Sequence, residues 1–360
     1  MFNRPAHLAV LSLSILTAFS AQADKVVLVA GGGTQAATAT ATDVKLVAPF
    51  GVDFDRAGNL FLVEMGGGER VRRVDAKGVL TTIAGTGQKG FAGDGGPAAQ
   101  SQFNGMHNLA VAPNGDIYLA DTWNSRVRKI DAKTGVITTV VGTGTKGFSG
   151  DGGDAVQADF GNIYCASLDP KAENLFLADL DNRRIRAVNL KTGIARTVAG
   201  NGQRAAPEDG AEAAKSPLVD PRAVCADSVG NVYVLERGGH ALRVVSPDGR
   251  IRTVVGTGQK GSSGDGGDAR LATLNGPKHL CMDHDGSVIL ADTENHVIRR
   301  YTPRDGKITR IAGSGKKGTA GVGGSPLELE MSQPHGVTVH RDGTLFITDS
   351  GNHRVLKIVK

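Results

Sequence analysis

The sequence predicts an all-β chain folded as a six-bladed β-propeller, with four antiparallel strands per blade and the last blade closed by the N-terminal strand. Three observations predict it. First, an acidic residue recurs at the end of a short apolar run as Glu64, Asp121, Asp179, Glu236, Asp292 and Asp349, at intervals of 57, 58, 57, 56 and 57 residues. Self-similarity at a fixed period of this kind marks a propeller or a solenoid. Second, each period holds four short β-patterns separated by Gly/Asn turns, as in Leu109–Val111, Asp116–Ala120, Arg126–Ile130 and the β-branched Val136–Val141. Short runs at this spacing are antiparallel strands, and four of them make one blade. Third, the two ends are complementary. The sixth unit stops after three strands (Pro334–Val339, Thr344–Thr348, Arg354–Ile358), while residues 25–33, KVVLVAGGG, read as a fourth strand. Pairing the two ends leaves no open edge in the ring.

Taken in order, the chain begins with what reads as a secretory leader over residues 1–23. Arg4 supplies a positive start, Leu8 to Phe19 an apolar run too short to span a membrane, and Ala21-Gln22-Ala23 a cleavage site. A single propeller over 24–360 is therefore expected outside the cytoplasm, periplasmic or secreted. Removing the leader leaves 40 basic against 36 acidic residues, a net charge of +4. The basic residues form no contiguous stripe, which argues against a nucleic-acid partner. Gly31–Asp43 is the crossing into blade one. The blades are expected near 47–85, 104–142, 161–200, 219–256 and 275–313, with the sixth running from 334 to the C-terminus. A closed ring of this kind is expected to be monomeric.

Three of the loops joining blades carry nearly one text: GTGQKGFAGDGG from Gly85, GTGTKGFSGDGG from Gly142 and GTGQKGSSGDGG from Gly256. Their Asp94, Asp151 and Asp265 offer one carboxylate each, fewer oxygens than a calcium loop supplies. They read as turn residues, with Phe91 and Phe148 tucked against the blade and Lys89, Lys146 and Lys260 edging the face. Cys165, Cys225 and Cys281 fall near first strands, with no C-x-x-C present, and read as small buried hydrophobes.

Blade six carries Pro334-His335-Gly336-Val337, Asp342-Gly343 and Asp349-Ser350-Gly351-Asn352-His353-Arg354-Val355. This pattern resembles the NHL repeat, and the resemblance runs over essentially the whole of 24–360. The glycine-aspartate loops resemble those of exported bacterial NHL proteins and of teneurin-type NHL domains. The resemblance implies the propeller fold. It does not fix a function, because such propellers serve as enzymes, receptors and scaffolds.

In each blade the loop after strand two shares a face with the start of strand one, so the channel mouth, the Asp-x-x-Asn turns and the interblade loops should lie together. Two sets of residues meet there. The six acids, with Asn124, Asn182, Asn295 and Asn352 three residues after theirs, recur in every blade. They are expected to be structural turn acids that cap backbone N–H groups of the turn, with Asn in the left-handed position. A metal role for them is the weaker reading. The residue opening each first strand behaves differently: Phe50, His107, Tyr164, Arg222, Lys278 and His335, with no two neighbouring blades alike. Divergence at one position of a repeating scaffold is what a ligand site requires. Arg222 and Lys278 suit an anion, His107 and Tyr164 donate or relay protons, and Phe50 offers a stacking face.

Two enzyme families resemble this architecture at the same register. Peptidyl-hydroxyglycine amidating lyases hold zinc with three histidines there, and gluconolactonase-type propellers hold a divalent cation with Asn, Asp and Glu. This sequence has His107 and His335 and no carboxylate in the ring, with Arg222 and Lys278 opposite. His279 joins them only if the register slips by one. No cofactor is therefore expected, and zinc or calcium on His107 and His335 is the alternative. The function expected is a binding or interaction module for an anionic small molecule, glycan, peptide or envelope protein. The alternative is a lyase or a lactone or ester hydrolase acting through His107, Tyr164 and His335.

Overall fold

The computed structural model describes residues 24–36 and 38–360. The leader expected over 1–23 lies outside the described residues. Six antiparallel sheets are arranged in sequence order around an axis. The sixth contains both chain ends: strand Lys25–Gly31 pairs with Arg354–Val359 in the register Lys25↔Val359 to Gly31↔Arg354. The closing strand is also tied to the loop before blade six, where Gly323 donates to the Val26 carbonyl and Val26 to that of Gly324. Five of the sheets have four strands. Blade one departs from expectation: Ala39–Thr40, in the crossing segment, adds a fifth edge strand against Val79–Ala84. The segment had no β-signal because only two residues pair.

The first strands line the channel, and the second strands form the middle of each blade. The residue two before each acid is Leu62, Leu119, Leu177, Val234, Leu290 or Ile347, and all six are fully buried. Each contributes roughly 1.5–3 kcal/mol of burial. The glycine of the Pro-x-Gly-Val motif is explained by crowding between neighbouring first strands. A Cβ on Gly336 would stand 2.2 Å from the Phe50 carbonyl oxygen, and one on Gly51 2.7 Å from Asn108 Cα.

The six acids are fully buried, and their bonding differs from the turn caps expected. Each accepts a backbone N–H from the segment leading into its own blade's first strand: Val47 to Glu64, Asn104 to Asp121, Gly161 to Asp179, Val219 to Glu236, Asn275 to Asp292 and Ser332 to Asp349, at 2.6–2.8 Å. The left-handed residue is the one after Asn, namely Ser125, Arg183, His296 and His353. The Asn side chain bridges instead. Asn124 donates to Asp121 and to the Gly90 carbonyl of the preceding loop, and Asn182, Asn295 and Asn352 repeat the arrangement.

A buried arginine from strand three completes each unit. In blades two, three and five it reaches the loop aspartate: Arg128 to Asp94, Arg186 to Asp151 and Arg299 to Asp265. In blade one, whose preceding segment lacks that aspartate, and in blade four, whose loop aspartate Asp209 accepts the Thr253 N–H without meeting the arginine, the acid is the longer Glu, and it meets Arg72 or Arg243 directly. The loop aspartates are thus interblade clamps. Phe91 and Phe148 are not tucked in: they stay about four-tenths exposed, each under an arginine, with the Arg126 and Arg184 guanidinium carbons 3.9 and 3.6 Å from the ring centres.

Candidate functional site at the channel mouth

Four of the six ring residues are set apart from the strands by local backbone geometry. In blades one, three, four and six the pairing of strands one and two slips at that residue: Pro49 faces Glu64 but Val52 faces Leu62, and likewise Ile163/Cys165, Pro221/Ala223 and Pro334/Val337. Phe50, Tyr164, Arg222 and His335 therefore sit in β-bulges. A bulged residue is freed from the ladder and its side chain is re-aimed. His107 and Lys278 lie just before the first strands Asn108–Val111 and His279–Met282.

Five of the six side chains touch in ring order. The His335 and Phe50 rings are 4.0 Å apart and Phe50 and His107 5.2 Å. His107 and Tyr164 are 4.5 Å apart, and the Arg222 guanidinium lies 4.0 Å above the Tyr164 ring. Lys278 turns outward to Glu294, at 2.7 Å. The expected open cup is therefore a packed plate. The channel cavity, about 250 Å³, lies beneath it and is lined by Asn108, His279 and the three cysteines among others, but by none of the six. The cysteines are free thiols. Burial pushes the Cys165 thiol up to about 11, so it is protonated and unreactive at neutral pH.

Arg222 is the unusual member. It is 5% exposed, and burial lowers its pKa only to about 10, so it remains charged. Among the described residues it forms no ion pair, and its Nε is buried with no hydrogen-bond partner. Asp220, in the same blade, is taken by Arg237 at 2.8 Å. Leaving a buried charged donor unbonded costs at least about 1–3 kcal/mol.

The two histidines share a defined tautomer. His107 Nδ1 is 2.7 Å from the Gly105 carbonyl oxygen, and His335 Nδ1 is 3.0 Å from that of Gln333. A carbonyl only accepts, so both Nδ1 atoms carry the proton and both Nε2 atoms present a lone pair. Burial, with the charges of Arg222 and Lys278, holds both rings well below the ordinary histidine pKa, hence neutral. Glu69, fully buried and at positive φ, fixes the Gly105 peptide by accepting its N–H at 3.0 Å. His279 does not join the ring. It lies one step down the channel, where Asn108 reaches its Nε2 at 2.7 Å and the Val337 N–H its Nδ1 at 3.3 Å. Among the described residues no group of three or more His, Cys, Asp or Glu side chains is placed to hold a metal ion.

Sequence reasoning missed Trp123, Arg237 and Glu294 at the rim. Trp123 lies 5.8 Å from His107 and is 37% exposed. Its indole packs on Gly105, where a Cβ would fall 2.3 Å away, and Lys89 reaches to 5.5 Å from the ring centre. The available signal was position: Trp123, Asp181 and Glu294 each stand two residues after their acid, where the other three blades have glycine. That register diverges as the mouth register does.

Comparison with known proteins agrees with the fold. The NHL repeat profile matches residues 103–130 and 331–358, the first three strands of blades two and six. NHL repeat-containing protein 2 of Gallus gallus is 25% identical over 343 residues, covering 86% of this chain and 46% of that protein. Human teneurin-1 is 28% identical over 248 residues, covering 60% of this chain and 9% of that protein. The chain spans less than half the length of the curated relatives it matches. Among solved structures, an auxiliary nutrient binding protein from Bacteroides thetaiotaomicron superposes with a TM-score of 0.67 at 17% identity, covering 93% of this chain and 76% of that one. No helix among the described residues is long and apolar enough to cross a membrane. The chain thus carries NHL repeats in blades two and six, is similar to NHL-repeat proteins and teneurins, and folds as a six-bladed β-propeller.

Proposed function

We propose that the propeller is an exported binding module that takes an anionic group at the channel mouth. The observation that carries this is Arg222: buried, charged, stacked on Tyr164 and without a counter-ion. Lys278 and Arg237 stand on the same side, each already paired to an acid, and a bound carboxylate or phosphate would satisfy the Arg222 donors that the protein leaves open. The likeness to a nutrient-binding propeller supports a binding role, and the leader-like sequence over 1–23 supports export. Thermal unfolding with simple carboxylates tests it. A ligand that binds only the folded state raises Tm with the logarithm of its free concentration over Kd. The rise is expected in the native protein and absent in Arg222→Met. If no carboxylate or phosphate raises Tm more in the native protein than in the variant, the proposal fails.

A second reading, catalysis, is favoured by one feature: the unprotonated Nε2 of His107 beside Tyr164, the arrangement of a general base with an acid. Turnover of an ester or lactone lost in both His107→Ala and Tyr164→Phe would move the assignment to an enzyme.

A further inference from the structure

We infer that the ligand of the mouth is an acidic saccharide, a pyranose bearing a carboxylate as in a uronic acid. The inference rests on the anion reading above and adds the hydroxylated remainder of the ligand. Its basis is that the mouth has two chemically different halves. Blades three, four and five contribute Tyr164, Arg222, Arg237 and Lys278, donors and cations of which Arg237 and Lys278 are paired to Asp220 and Glu294 and Arg222 forms no ion pair among the described residues. Blades six, one and two contribute His335, Phe50, His107 and Trp123, which carry no positive charge. On that second half the polar atoms presented are the two Nε2 lone pairs, since both Nδ1–H groups are consumed by the Gly105 and Gln333 carbonyls. A lone pair fixed in this way needs a ligand that donates, such as a hydroxyl.

Beside these acceptors lies one partly exposed aromatic face. Phe50 is buried between the two histidines and holds them apart. Trp123, the chain's single tryptophan, stands at the rim with one side braced on Gly105. An aromatic face next to hydrogen-bond acceptors matches the C–H face and hydroxyls of a sugar ring. The cationic half matches its carboxylate. A simple dicarboxylate uses only the cationic half, and a neutral sugar only the other.

The single tryptophan also supplies the assay, because its fluorescence reports on this rim alone. Tri-galacturonate and tri-glucuronate are titrated against their methyl esters, adipate and tri-aspartate. At least one uronate is expected to saturate the signal about tenfold or more tighter than the ester, adipate or peptide, tenfold being about 1.4 kcal/mol. His107→Phe is expected to weaken the uronate about tenfold while leaving adipate unchanged. His335→Phe is the second variant, with circular dichroism confirming that each is folded. If adipate or tri-aspartate binds as tightly as the uronates, the saccharide is overturned and the anion site stands. If no anion in the series binds, both readings fall.

Discussion

Arg128 and Arg222 are both buried arginines of the same ring, and they are treated in opposite ways. Arg128 is fully buried in blade two, where its three nitrogens donate to Asp94, the Gln102 carbonyl and the Ala92 carbonyl at 2.8–3.0 Å. Arg299 repeats this in blade five with Asp265, Thr273 and Ser263. Arg222 is buried almost as deeply, with an aromatic face beneath it and no counter-ion. The contrast separates what the protein does for itself from what it holds ready. A guanidinium whose bonds are complete stitches loop to blade. One whose bonds are left open keeps a site.

Substituting both by the same residue tests that contrast most severely. Arg128→Met should lower the free energy of unfolding by about 3–5 kcal/mol, because Asp94, Asp121 and two carbonyls lose their partner. Arg222→Met should instead be neutral or stabilising by up to about 1–4 kcal/mol, since an uncompensated charge is replaced by an apolar chain. Denaturant titration compares them. Equal destabilisation would show that Arg222 has hidden partners and end the comparison.

A smaller effect sharpens the structural side. Asn124→Ala removes donations to Asp121 and to the Gly90 carbonyl, and should cost about 1–2 kcal/mol. The corresponding positions in blades one and four, Gly67 and Gly239, are already without a side chain, and there Glu64 and Glu236 meet their arginines directly. The smallest effect is in pH. His107 and His335 have folded pKa values depressed below 6.5. A depressed histidine makes the unfolded chain the better proton acceptor, so stability is full above about 6.5 and falls as pH drops below it. Arg222→Met should raise both histidine pKa values, since its charge contributes to each depression. Titration of the imidazole resonances reads this, and unchanged values would mean that Arg222 has no part in the depression.

Much of the fold was legible because it repeats. Six acids at a nearly constant interval mark six blades, and the N-terminal strand supplies the one missing from blade six. The site was legible only as a register. Phe50, His107, Tyr164, Arg222, Lys278 and His335 stand out because the copies disagree there. Their contacts were not legible. Aligning repeats gives the tier a residue occupies, but whether Lys278 faces the axis or Glu294 depends on side-chain torsions.

The sequence by itself determined the blade count, the closure and the two classes of position, repeated and divergent. It did so because period-two strands and Gly/Asn turns are local, and repetition multiplies a weak local signal. The tertiary structure alone decided which charges pair. The acids accept N–H groups 17 or 18 residues upstream, Arg128 takes an aspartate 34 residues before it, and Asp220 goes to Arg237 and leaves Arg222 without one. Pairing is a matter of distances between strands, and sequence spacing does not carry those distances.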